Sequence, residues 1–280
     1  MNIKEVLSLD RHLLIALEET EAVYWSKYYY TDERLPCFAN VIGGAFAGSV
    51  PDVNILALNR VIGLGIHHVV NPGDIEAIIN FYKKAGAKQF IIQLAGHAIQ
   101  DDLPEMLSNA GFILHNHWAK LMKRLDEPTS VSSSDLRIEK IMDNHLYKED
   151  YGKILFESFR WEDPRLKDWL CKTIGQMGYR HFLAYQGDKP IAAAALHLMG
   201  KYASLAFAGT LPSYRGLGAQ QALIQHRLKE ASQAGCEYIF TETAAPNPEN
   251  PAQSYKNMIR LGFEEVYLRE NWIYKMAGTQ

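Results

Sequence analysis

Leu211-Pro212-Ser213-Tyr214-Arg215-Gly216-Leu217-Gly218-Ala219-Gln220-Gln221-Ala222-Leu223 carries a strand end through a glycine-rich turn into a helix. Before it, the small and apolar run from Tyr202 to Thr210 predicts a strand. After it, Ala222, Leu223, Leu228 and Ala231 recur at helical spacing and predict a helix from Ala219 to Ala234. Gly216 and Gly218 allow backbone N–H groups to approach an anion closely, and the helix N-terminus adds partial positive charge. No Gly-Lys-Ser/Thr follows, which excludes a Walker loop. The third glycine of a dinucleotide fingerprint would fall at Gln221, which excludes that too.

The form Pro-x-x-Arg-Gly-x-Gly resembles the pyrophosphate-binding motif with which the GNAT acetyltransferase superfamily grips coenzyme A. Arg215, Gly218 and the strand-turn-helix context match that motif. Gln220 stands where the family usually has Gly or Ala, and an outward-pointing Gln fits because helix amides hold the pyrophosphate. The resemblance implies acetyl-CoA held by Arg215, Gly216, Leu217, Gly218, Ala219 and Gln220. Arg215 would either touch a phosphate or brace the turn.

Working outward, the chain has 280 residues, enough for two domains. Hydrophobic residues make up 48% and charged residues 22%, as in an ordinary soluble globular protein. A net charge of −3 argues against nucleic acid as a partner. Cys37, Cys171 and Cys236 are far apart, so neither a disulfide framework nor a zinc site is expected. The pairs His67-His68 and His115-x-His117 lack metal-ligand spacing, and no metal is predicted. The N-terminus lacks an apolar signal core and no stretch approaches a membrane span, so a cytoplasmic location without membrane association is expected.

The polar, Ser-rich segment 126–135 reads as a linker between domains at 1–125 and 136–280. On either side the sequence echoes itself. Ala85-Gly86 corresponds to Ala234-Gly235 at an offset of 149, Gly111-Phe112 to Gly262-Phe263 at 151, and Trp118 to Trp272 at 154. Each half reads as strand, turn, helix ending at Ala-Gly, buried strand, helix ending at Gly-Phe and last strand. The fold class is therefore α/β in layers. By the resemblance it is two GNAT-like domains, each a central mixed sheet flanked by helices. Opposite the second turn, the first half has Ile66, His67, Val69, Val70 and Pro72, which are poorly suited to cradling an anion. The first half is expected to bind no coenzyme A and to complete the acceptor cleft or stiffen its neighbour. The helical stretch Leu9 to Tyr24 is expected to pack between the two.

The family resemblance further implies that Ala208, Gly209 and Thr210 pair with the pantetheine amides and polarise the thioester. The small side chains fit a tightly packed sheet equally well. Acyl transfer from a thioester needs a deprotonated amine and a protonated leaving thiolate. Glu242, near the end of Tyr238 to Thr243, is the candidate base, or else a carboxylate simply solvated or paired with Arg; His197 is a second candidate base, or else structural. GNAT enzymes often carry a proton-donating Tyr four residues before the Gly of Gly-Phe. Here that residue is Met258, and Tyr255, three residues earlier, is the candidate acid or a packing residue. Ser254 and Asn257 are either cofactor contacts or helix-surface groups. Trp25 and Tyr28-Tyr29-Tyr30 form an acceptor wall or core, and the loop from Ala244 to Pro251 would wall the acceptor side.

The implied activity is transfer of acetyl from acetyl-CoA to a primary amine of a small acceptor. The alternatives are a non-catalytic acyl-CoA-binding regulatory or scaffold protein, and an aminoacyl-tRNA-dependent transferase, which would want a basic face. Oligomeric state, acyl length and the acceptor's identity are not fixed by these residues.

Overall fold

A computed structural model describes residues 11–29, 34–96, 100–126, 136–142, 145–247 and 252–276. All of the linker expected at 126–135 except Asp126 lies outside these residues, as do Leu9, Tyr30 and residues 248–251 of the proline-containing loop. The chain forms two compact units. The first comprises Met1–Leu121, Glu242–Met258 and Glu264–Gln280; the second comprises Met122–Thr241 and Ile259–Phe263. Each is a mixed sheet with helices packed against it.

In the first unit α1 (Arg11–Ser26) precedes the strands β1 (Phe38–Ile42), β2 (Ala45–Ser49) and β3 (Arg60–Ile62). Then come α2 (Pro72–Ala85), β4 (Gln89–Leu94), α3 (Leu103–Asn109) and β5 (Ile113–Arg124), which runs past the unit boundary. The β1, β2 and β3 neighbours are antiparallel, whereas β3 and β4 are parallel, as a helical crossover requires. Strand β11 (Glu264–Lys275), last in the chain, pairs antiparallel with β4 from Glu270↔Leu94 to Lys275↔Gln89 and lies between β4 and β5. The core gathers Val61, Ile75, Ile78, Phe90, Ile92, Leu107 and Phe112. Tyr82 stacks on Phe90 and spends its hydroxyl on the Gly48 and Arg60 carbonyls, at 3.0 and 2.7 Å, so the polar end of a buried ring is satisfied.

The second unit begins with β6 (Arg137–Ile141), α4 (His145–Phe159) and α5 (Arg165–Leu170). It continues through β7 (Tyr179–Gln186), β8 (Lys189–Met199), β9 (Tyr202–Thr210) and α6 (Ala219–Gln233) to β10 (Tyr238–Ala244), whose last three residues belong to the first unit. Its strand order is β10-β9-β8-β7-β6. Ile191 to Leu196 is buried at every position. A strand covered by helices on both faces loses the usual alternation, and α4 and α6 both pack on β8. The alanines there let the helices approach closely.

After β10 the chain forms α7 (Gln253–Arg260) and then β11. The order helix, three strands, helix, strand, helix, strand thus occurs twice along the chain, and the glycines of the repeat serve one purpose in both copies. Gly86 and Gly235 (φ +82° each), Gly111 (+92°) and Gly262 (+81°) turn the chain through the left-handed region just past a helix end.

Candidate active site

The turn expected to hold an anion has the required shape. Strand β9 spans Tyr202–Thr210 as read from the sequence, and α6 opens at Ala219. Gly216 and Gly218 sit at φ +86° and +79°, values that side-chain-bearing residues rarely adopt. Among the described residues beyond the chain neighbours, no atom lies within 4 Å of where a Cβ would stand at either glycine, so it is the backbone conformation, not crowding, that calls for glycine. Residues 215–218 are exposed. Gly218 is the N-cap of α6, and no side chain caps the helix. The first-turn amides, which a helix cannot satisfy internally, therefore face an open turn.

The corresponding helix of the first half is closed. Asn71 caps α2, its Oδ1 accepting from the Gly73 and Asp74 amides at 2.9 and 3.2 Å, while the Asp74 carboxylate accepts from the Asn71 amide at 3.0 Å. This capping box fills the positions an anion would take.

Strand β9 supplies a second feature. It pairs with β10 only from Tyr202↔Tyr238 to Phe240↔Ser204, whereas its pairing with β8 continues to Thr210. The last six residues of β9 therefore have one edge not paired to β10. The Leu211 amide donates to the Ile191 carbonyl at 2.9 Å. By strand alternation Gly209 also faces β8, while the backbone groups of Ala208 and Thr210 point to the open edge. A bulge between Leu205 and Ala208 marks where the pairing shifts. There the buried Arg227 donates to the carbonyls of Ala195 and Ala206 at 2.9 and 3.3 Å.

Two candidates on this side have packing roles. A Cβ at Gly209 would stand 2.6 Å from the Ser158 Cβ and 2.8 Å from its Oγ, so the glycine admits the end of α4. Arg215 donates to the Ser158 carbonyl at 3.3 Å and braces the turn against the same helix. The Ser158 Oγ is itself buried without a hydrogen-bond partner among the described residues.

The remaining candidates belong to the first unit. Glu242 joins a charge-balanced cluster of three carboxylates (Glu18, Glu21 and Glu242) and three cations (Arg60, Lys120 and Arg269). Arg269 holds Glu18 at 2.6 Å and Glu21 at 2.8 Å and also binds Glu242. Arg60 lies 3.4 Å from both Glu21 and Glu242 and stacks over the Trp25 ring at 4.2 Å. Lys120 binds Glu21. Gln93 donates to the Glu242 Oε2 at 3.3 Å. Burial alone would raise Glu21, but Arg269, Lys120 and Arg60 outweigh it and hold that carboxyl far below the usual range. For Glu242 the balance is reversed. Burial, then the Glu21 charge, push it above its ordinary value against the pull of Arg269, Arg60 and Lys120. At 12% side-chain exposure, against 0% for Arg269, Glu242 is the member of the cluster at its rim.

Tyr255 lies on α7 and donates its hydroxyl to Glu265 at 3.0 Å; burial and that bond raise its pKa. Ser254 is exposed and Asn257 half-buried, with Asn257 accepting from Gln253 at 2.9 Å. Met258 is buried. His197 is buried against Tyr179, at 4.6 Å between ring centres, as structural histidines are. Trp25, Tyr28 and Tyr29 are core residues, Tyr29 donating to the Leu58 carbonyl at 3.0 Å. The predicted residues thus fall into two groups, with 208–220 in the second unit and Glu242, Ser254, Tyr255 and Asn257 in the first. Sequence reading missed Glu18, Glu21, Arg60, Lys120 and Arg269 altogether. Glu18 and Glu21, three residues apart among the apolar positions of α1, were the available signal.

Among the described residues no three His, Cys, Asp or Glu side chains converge as metal ligands, and no helix is long and apolar enough to cross a membrane. No curated protein matches the chain. A GCN5-related N-acetyltransferase from Kribbella flavida has a similar fold, with TM-score 0.64 and 16% identity over 95% of this chain and 96% of its own. A second, from Sphaerobacter thermophilus, gives 0.61 and 12% over 82% and 80%, and a tandem GNAT protein from the clavulanic acid biosynthesis pathway gives 0.59 and 13% over 85% and 80%. Residues 144–263 match the acetyltransferase (GNAT) family itself. They span α4 to the Gly-Phe after α7, and with them the open turn at Gly216 and Gly218. The second half of the chain therefore matches the acetyltransferase (GNAT) family over residues 144–263, and the chain shares its fold along nearly its whole length with a GCN5-related N-acetyltransferase.

Proposed function

We propose that the protein transfers an acetyl group from acetyl-CoA to the primary amine of a small acceptor, working as tandem GNAT-like domains of which only the second binds the cosubstrate. The observation that carries this reading is the uncapped N-terminus of α6 behind the exposed turn at Gly216 and Gly218, beside the open edge of β9. The turn amides from Gly216 to Gln220 would hold the pyrophosphate, with Arg215 available to a phosphate if it leaves Ser158. The open-edge groups of Ala208 and Thr210 would pair with the pantetheine amides, and Ser254 and Asn257 would add polar contacts. Acetyl-CoA supplies the activated thioester.

The chain's own residues would then move protons. Glu242 takes a proton from the acceptor nitrogen, directly or through water, as the N–C bond forms and the C–S bond breaks. Tyr255, released from Glu265, gives a proton to the departing thiolate. Three buried free cysteines suit a reducing, cytoplasmic setting.

Calorimetric titration of acetyl-CoA into the wild type and Gly218→Asp tests this. Micromolar binding lost in the variant is the expected result. No binding to the wild type overturns the reading. Binding without thiol release across a panel of primary amines would make the protein an acyl-CoA binder that does not catalyse.

A further inference from the structure

The first half of the chain repeats the second half's element order, yet it closes its own helix N-terminus with Asn71. Its charged residues converge instead on Glu242. The two Glu242 oxygens are held unequally. Oε2 accepts from Arg269 and from Gln93 at 3.3 Å, whereas among the described residues Oε1 accepts only from Arg60, at a long 3.4 Å. Oε2 is thus the anchored oxygen and Oε1 the one left to take a proton.

Glu21 draws on the same donors. Arg269 Nη1 touches both Glu21, at 2.8 Å, and Glu242. Arg60 Nη1 touches both carboxylates at 3.4 Å. Each guanidinium nitrogen is therefore shared between two acids, and the more Glu21 holds it, the less it stabilises ionised Glu242. Lys120 binds Glu21 Oε2, the same oxygen that Arg269 touches, and partly cancels that competition. The other groups of the cluster are Glu18, which accepts from Arg269 and from the Tyr267 hydroxyl, and Asn271, which accepts from Gln93 at 3.1 Å.

We infer that the first half of the chain serves the second as the support of its base: Glu21, Arg60 and Lys120 are positioning residues that fix the orientation and charge state of Glu242. This inference rests on the assignment of Glu242 as the proton acceptor. Glu21 keeps the carboxylate basic enough to accept a proton by competing for its cations, Arg60 and Gln93 hold it in place, and Lys120 limits the competition. The degenerate half therefore keeps a purpose without a ligand of its own.

The test is a 13C NMR titration of protein labelled at the glutamate carboxyl carbon, the Glu242 resonance being the one that Glu242→Gln removes. In the wild type Glu242 titrates above the ordinary value of about 4.3. Glu21→Gln, which removes the competing charge, moves that titration down by roughly half a unit or more, and Lys120→Gln moves it up by a similar amount. Lys120→Arg, which keeps the charge, leaves it in place. A damaged fold would not produce opposite shifts from two neutralising substitutions and recovery from a third. A titration that is unmoved in both neutral variants, or that moves the same way in both, overturns the inference. If Glu21→Gln does not fold, the two Lys120 variants decide the matter by the same criterion. Acetyl transfer by Glu242→Gln at the wild-type rate overturns the base assignment and the inference with it. Loss of transfer together with an unmoved titration overturns only the support by the first half.

Discussion

A Cβ added to Gly209 would stand 2.6 Å from the Cβ of Ser158, closer than folded proteins tolerate. The glycine is therefore a packing requirement of α4 as much as a feature of the open strand edge. Gly209→Ala should destabilise the protein by about 1–3 kcal/mol through forced displacement of α4 or β9. Ser158→Gly in the same chain should restore part of the loss, less up to about 1 kcal/mol for glycine within a helix. Urea unfolding of the two single variants and the double variant reads the coupling. Simple additivity would mean that the two residues do not meet.

The helices at Asn71 and Gly218 should respond oppositely to substitution. Asn71→Ala removes a capping side chain and should cost about 1 kcal/mol of stability while leaving acetyl-CoA affinity unchanged. Gly218→Asp sets a carboxylate against the open amides and should weaken acetyl-CoA binding by about tenfold or more. Calorimetry on both variants separates a capped helix from an anion-binding one. Loss of binding in Asn71→Ala would contradict the assignment of the cosubstrate to the second half.

Glu242→Gln should lower turnover by about 10²-fold and change acetyl-CoA affinity little. Tyr255→Phe should lower kcat by about tenfold or more if its hydroxyl protonates the thiolate. Glu265→Gln, which removes the carboxylate that now holds that hydroxyl, should leave kcat intact. Steady-state thiol release measures all three. Wild-type kcat in Tyr255→Phe would return Tyr255 to a purely structural role.

His181 is buried, hydrogen-bonded to Thr173 at 2.9 Å, and burial lowers its pKa from 6.5 to about 3. Since the unfolded chain binds the proton more readily, the folded state has its full stability above about pH 6.5 and loses it as pH falls toward about 3. The full effect is on the order of 5 kcal/mol. His181→Gln should flatten this dependence. Urea midpoints at pH 7 and pH 4.5, compared between wild type and variant, check it. Equal acid sensitivity would show that His181 is not the responsible group.

The turn was legible because backbone demands fix it. The glycines at φ +86° and +79° and the helix after them follow from residues adjacent in sequence, and both flanking elements fall where their periodicity puts them. The glycine landmarks of the two halves were legible for the same reason, since a left-handed helix stop needs the residue type that adopts it. The surroundings of Glu242 were not. Its partner Arg60 is 182 residues away along the chain, and Arg269 meets Glu18 across 251. Pairings of that span have no local signature, and charges within α1, β3 and β11 read as exposed faces until the strands between them are in place. The smallness of Gly209 was ambiguous because a ligand and a packed helix ask for the same residue.

The place of β11 between β4 and β5 has a consequence for how the protein is made. Strand β4 ends at Leu94, and its partner ends at Lys275, so about 180 residues must leave the ribosome before the two can pair. At the usual pace of synthesis this takes on the order of ten to forty seconds. Throughout that interval one edge of β4 has no strand beside it, a state in which nascent chains pair with the wrong neighbour. The first unit takes residues from both sides of the second along the sequence, so its maturation waits until the second unit's residues have been made.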